Sequence, residues 1–124
     1  MPSIRRSTRR PAPWLTVLAA GLLLIGGGVF LDRSQILVND TGFMNSMIPH
    51  HSLAITRSER AQIQDVRVCE LAVEISEAQR REIFEMEWLI QDIERNGAAT
   101  TSADAEARPV PSYSESAERR CPTE

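Results

Sequence analysis

From Pro11 to Leu31 the chain carries no charge, and from Trp14 to Leu31 every side chain except Thr16 and four glycines is apolar. Wound as a helix, these 18 residues span about 27 Å, close to the hydrocarbon thickness of a bilayer. A different pattern follows. Between residues 40 and 96 apolar positions recur every three or four residues, the period of a helix with one buried face. In the first run Met44, Met47, Ile48, His51, Ile55 and Ser58 share one face, and Phe43, Met47, His50 and Ala54 form the adjoining row. In the second, Val68, Leu71, Ala72, Ile75, Gln79, Glu82, Ile83, Met86, Ile90 and Ile93 make an inward stripe. Its opposite face, with Glu70, Glu74, Glu77, Arg81 and Glu85, reads as solvated. Residues 98–124 show no period and few large apolar side chains, the composition of a disordered tail.

The end signals agree with two helices. Asp40 or Thr41 can cap the first, and Pro49 inside it either kinks the helix or marks a fresh start capped by Ser46. Asp65 can cap the second, which Asn96-Gly97 then stops. The expected architecture is all-α: an N-terminal transmembrane helix, then an αα-hairpin. A body under ~70 residues rarely gains more than about 3–5 kcal/mol from its own core, and each helix of a lone hairpin has one neighbour. A second hairpin is the simplest cover, so the expectation is a homodimer forming a four-helix bundle. The divisions are a basic cytoplasmic head (1–13), an anchor (14–31), a linker (32–39), a hairpin (40–97) and the tail (98–124).

Charge assigns a side to each part. Arg5, Arg6, Arg9 and Arg10 precede the apolar stretch with no acid among them, whereas ten arginines and all 17 acidic residues follow it. Arginines before a span hold that end in the cytoplasm, which places the body outside, on the periplasmic or cell-surface side, with residues 14–31 in lipid. A cleaved signal peptide shares the basic head, but its apolar part is shorter and ends at a small-x-small site. Val29-Phe30-Leu31-Asp32-Arg33 offers none, which favours an uncleaved anchor. An acidic body excludes nucleic acid as a partner. Cys69, in the helical pattern, and Cys121, in the polar tail, form no C-x-x-C pair and read as one buried and one exposed thiol.

The candidate chemistry is confined to a few residues. Beyond the initiator, the methionines are Met44, Met47 and Met86, all on inward stripes, and the histidines are His50 and His51. Met47 lies three residues before His50 and four before His51, so the three converge on one side of the helix. Thioether sulfur with imidazole nitrogen suits Cu(I), or Ag(I) as its redox-inert counterpart. Met47, His51 and Met86 form the inner set, with Met44 and His50 peripheral. Gln79 and Glu82 interrupt the stripe near Met86 and could accept a hydrogen bond from a ligating imidazole. Methionine in a helix seam is also ordinary packing material, and the competing reading is a helical scaffold without metal. Enzyme chemistry finds no support: Glu-x-x-His, His-Glu-x-x-His, a nucleophile elbow and a phosphate loop are all missing from the sequence.

Asp40-Thr-Gly-Phe43-Met-Asn-Ser-Met47-Ile-Pro49-His50-His51-Ser-Leu-Ala54-Ile55 resembles the opening signature of the domain of unknown function 305 family. Gln79-Arg-Arg-Glu82-Ile83-Phe-Glu-Met86-Glu-Trp88-Leu89 resembles its closing signature. The resemblance implies a ferritin-like bundle in exported proteins, some of which bind copper or silver. It implies Met44, Met47, His50, His51 and Met86 as ligands, with Gln79 and Glu82 as supporting polar positions. Some relatives continue the ligand stripe with Met or Cys where this chain has Ile55, Thr56, Arg57 and Ser58. That departure argues against high capacity.

Overall fold

The computed structural model describes residues 12–122. The arginine-rich head, apart from Ala12 and Pro13, lies outside the described residues. All regular structure among them is helical: α1 (Pro13–Ser34), α2 (Asp40–Arg60), α3 (Val66–Asn96) and the short α4 (Ser102–Ala107). The chain divides into two compact units, one ending at Val38 and the other beginning at Asn39.

In the first unit, α1 starts on Pro13, whose missing N–H costs nothing in a first turn. It runs unbroken through Gly26-Gly27-Gly28 and closes where Gln35, in the left-handed region, donates its N–H to the Leu31 carbonyl. At 22 residues, with an 18-residue stretch of mean hydropathy 2.2, it is long and apolar enough to cross a bilayer.

The second unit is a helical hairpin with a C-terminal strap. Asn39 caps α2 by accepting the Gly42 N–H at 2.8 Å, one residue earlier than expected. Asp40 then sits in the first turn, where a negative charge suits the helix dipole. Pro49 lies inside an uninterrupted helix, and Ser46 donates to the Phe43 carbonyl instead of starting a new one. Asp65 caps α3 by accepting the Arg67 N–H at 2.9 Å. Gly97 ends it with φ at 78°, a backbone region that glycine enters without steric penalty. His51 reaches Glu82 and Glu59 reaches Ser76, so advancing along α2 means retreating along α3: the pair is antiparallel.

The contact seam is rotated from the expected stripe. Val68, Leu71 and Ile75 are 48%, 53% and 38% exposed, whereas Cys69, Ala72 and Ser76 are buried, with Ser58 opposite on α2. Ala72 and Met86 of the expected stripe are buried, so the seam is displaced toward the Cys69–Ser76 edge of that stripe by less than the roughly 100° of one position. Small side chains at Ser58, Ala72 and Ser76 let the two backbones approach near the hairpin loop. Larger ones would hold them apart. Met44 and Met86 fill the other end of the seam.

The expectation of a disordered tail is overturned, and so is that of two free thiols. Cys69 and Cys121 form a disulfide, and none of the described cysteines is free. Along the strap, Arg108 pairs with Asp92 and donates to the Gly97 carbonyl at 3.2 Å. Tyr113 lies against Phe84 with ring centroids 5.5 Å apart, and Ala117 is buried. The end is held reciprocally by α2. Glu59 accepts the Glu118 N–H at 3.0 Å, the Arg119 N–H and the Ser76 hydroxyl. The Arg119 guanidinium donates in return to the carbonyls of Ser58, Glu59 and Ala61, the last at 2.7 Å. Those carbonyls belong to the end of α2, where helix geometry leaves them without partners. Polar anchors and one covalent bridge order the strap, so apolar periodicity could not reveal it. Closing a loop of this length with a disulfide contributes roughly 2–4 kcal/mol.

Burial pushes the Glu59 carboxyl up. Hydrogen bonds from Ser76, Glu118 and Arg119, together with the charge of Arg80, more than offset this and hold it below the ordinary glutamate value. The ionised form therefore grips the strap. Its contribution is complete at and above the ordinary glutamate range and disappears as pH falls through the lowered value. Glu59→Gln should reduce hydrogen-exchange protection of the Glu118 and Arg119 amides roughly tenfold at neutral pH, the scale of a charge-assisted hydrogen bond, and remove most of its acid dependence, while the Ala117 amide, which donates to Glu77, changes less. Unchanged protection in that variant would contradict the assignment.

Candidate metal site

The sequence-derived residues occupy the end of the hairpin away from its loop, and the helix period decides which of them meet. His51 points into the seam with its side chain 12% exposed. Its Nδ1 lies 2.9 Å from the Met47 carbonyl one turn back, and its Nε2 lies 2.8 Å from Glu82 Oε2 on α3. Both neighbours are acceptors. The ring is thus held at both nitrogens, and Nε2 is the one aimed across the seam.

His50, one residue back, is exposed, with its ring centroid 6.1 Å from that of His51 and edge-on to it. The two imidazoles do not share a direction. Met44 and Met86 are buried, one on each helix, and Met47 is half-buried. Gln79 is half-buried on α3; neither of the two hydrogen bonds made by the His51 ring involves it. The structure thus joins His51 to Glu82, sets Met44 and Met86 in the same two-helix seam, and leaves His50 outside it.

Among the described residues no three His, Cys, Asp or Glu side chains gather as a metal set. An ion on His51 Nε2 would therefore have Glu82 as its nearest charged neighbour and would have to draw further donors from thioethers. That donor set is soft and suits a monovalent d¹⁰ ion better than a hard cation, which prefers all-oxygen cages. In such an arrangement the hydrogen bond from Nδ1 to the Met47 carbonyl would fix the ring tautomer.

Sequence reasoning missed the groups that make the most contacts. Glu59, Arg80 and Arg119 lie outside any apolar stripe, and Arg80 bridges Glu59 at 3.7 Å and Glu118 at 3.5 Å. An available signal was the even cysteine count in a chain with an export-like head, since oxidising compartments favour pairing.

The asymmetry between the histidines is testable. Glu82→Leu leaves a part-buried imidazole nitrogen without its partner and should lower stability by roughly 1–2 kcal/mol. His50→Ala should stay within about 0.5 kcal/mol of the parent, as surface changes do. Thermal unfolding of the full chain in detergent measures both, and the reverse order would contradict the geometry.

Comparison with known proteins bears on this arrangement. Over 66 residues the chain is 38% identical to "Uncharacterized protein L153" of Acanthamoeba polyphaga mimivirus, covering 52% of this chain and 43% of that one. The chain thus spans less than half the length of this relative. No solved structure matches. The family described as "Domain of unknown function (DUF305)" matches residues 40–120, which takes in α2, α3, both histidines, the three seam methionines and nearly all of the strap. The chain belongs to that family.

Proposed function

We propose that this is a membrane-anchored, extracytoplasmic metal-binding protein that takes Cu(I), or Ag(I), through methionine and histidine, in copper handling or tolerance. One observation carries the reading: Met44 and Met86 are buried on opposite helices of the hairpin, and His51 directs its Nε2 across the seam to Glu82, the nitrogen an ion would have to take over. Met47, His51 and Met86 are the inner donors, Met44 and His50 the outer ones, and Gln79 and Glu82 the polar support. The role is binding, with no catalytic step assigned.

The location rests on three supports. α1 has the length and hydropathy of a span. The arginine head favours a cytoplasmic N-terminus. The Cys69–Cys121 bridge suits an oxidising compartment, which supports the reading of a body outside the cytoplasm, in a periplasm or at a cell surface.

A second reading has its own observation. Both nitrogens of His51 already face acceptors, as in a packed polar contact, which fits a helical scaffold module at the membrane that holds no metal.

Silver separates the two readings. An ion that binds only the folded state stabilises it by ~2.7 kcal/mol at a hundredfold excess over its Kd. The full chain in detergent, free of chloride and reductant, should gain melting temperature with Ag(I). Met47→Leu with Met86→Leu nearly conserves volume while removing both sulfurs, and should abolish the gain while keeping helicity. No gain in the parent protein would leave the scaffold reading standing.

A further inference from the structure

The two sulfurs of the bridge differ in access. Cys69 is 5% exposed on α3, whereas Cys121 is half-buried and lines an open depression of about 480 Å³ that Cys69 does not reach. The strap contributes Arg119 and Arg120 to its lining, the two residues before Cys121, and α3 contributes Glu70, Val73 and Glu74. Arg120 is exposed, and its guanidinium folds back to donate to the carbonyls of Ala117 and, at 3.0 Å, Arg119. It pairs with no carboxylate among the described residues. A cation is thus held beside the reachable sulfur, with two glutamates in the same lining opposing it.

We propose that Cys121 is a thiol-exchange site, at which an external dithiol opens the bridge and frees the strap. Exchange needs a thiolate to approach one sulfur of the bridge, and access decides which sulfur is attacked. The incoming thiolate bonds to Sγ of Cys121. The S–S bond breaks, and its electron pair leaves on Sγ of Cys69, which takes a proton from water. The second thiol of the reductant, once deprotonated, bonds to the first and displaces Cys121 as a thiolate, which is protonated in turn. The dithiol ends as a disulfide, oxidised by two electrons, and the bridge ends as two thiols.

What this releases follows from how the strap is built. Near its end the other anchors are hydrogen bonds to Glu59, to Glu77 and to the last carbonyls of α2. A segment poor in large apolar residues has little else to hold it once the tether is cut. Ile55, Ile83 and Phe84, which line a cleft of about 270 Å³ with Tyr113 and Glu115 of the strap, then lose that wall. The bridged form hides an apolar flank of the hairpin that the reduced form shows.

The full chain in detergent, with a chelator present so that metal plays no part, tests both steps. Brief exposure to glutathione, an acid quench and peptide mass spectrometry should find the adduct on Cys121 at least about tenfold more often than on Cys69. Arg120→Gln should slow the exchange and Glu70→Gln with Glu74→Gln should speed it, each about twofold to threefold, the scale of a surface charge. Equal adducts on the two cysteines, reaction only in denaturant, or rates indifferent to both charge variants would overturn the site. After reduction with dithiothreitol, hydrogen-exchange protection of the Glu118 and Arg119 amides should fall at least about tenfold, while the amides of α2 and α3 keep theirs. A reduced strap that stays protected, or a hairpin that loses protection along with it, would overturn the release.

Discussion

The exchange between Glu59 and Arg119 is the constraint on which the body depends. Each residue meets what the other segment lacks. The carboxylate of α2 accepts backbone N–H groups that an extended strap cannot pair internally, and the guanidinium of the strap satisfies carbonyls that the end of α2 cannot. Neither half would suffice. Ionisation keeps Glu59 an acceptor beside Ser76 and Arg80, and the disulfide two residues after Arg119 keeps the strap near its partners. A hairpin too short to build a large core thus gains order from one covalent bridge and a set of charge-assisted hydrogen bonds.

This arrangement explains how the two sides of the hairpin differ. With the strap drawn over Ile55, Ile83 and Phe84, that side has its apolar cover within the chain. The other side keeps Leu53, Leu71 and Ile75 in the open. At the hairpin loop the small residues Ser58, Ala72 and Ser76 bring the helices together, and at the far end Met44, Met86 and His51 occupy the seam. The polar, covalently locked end and the soft, sulfur-containing end are therefore separate parts of one bundle. Changes at the candidate site need not disturb the lock.

Much of this was legible in the residues. The period of the apolar positions located α2 and α3, Asp65 and Gly97 marked the ends of α3, and the uncharged run from Pro11 to Leu31 marked α1. The approach of Glu82 to a histidine followed from a polar interruption in an apolar stripe. What stayed illegible has physical causes. A stripe several residues wide leaves the rotation of a helix undetermined by about one position, and the small residues that set it carry little hydrophobic signal. The strap is built from Arg108, Tyr113, Ala117, Arg119 and Cys121, single anchors separated by exposed residues, and no period describes such a segment. The partners of its end also lie 52 to 60 positions away in the chain, beyond the reach of local pattern.

The central claim is that buried thioethers and a seam-facing imidazole hold a soft monovalent ion. X-ray absorption at the copper K-edge of the full chain, loaded with Cu(I) under anaerobic conditions, tests it most directly. The account predicts a shell of mixed sulfur and imidazole nitrogen, with the sulfur contribution lost in the Met47→Leu, Met86→Leu variant while the disulfide remains intact. Failure to retain copper, or a spectrum of oxygen and nitrogen donors alone that the variant does not change, would contradict it.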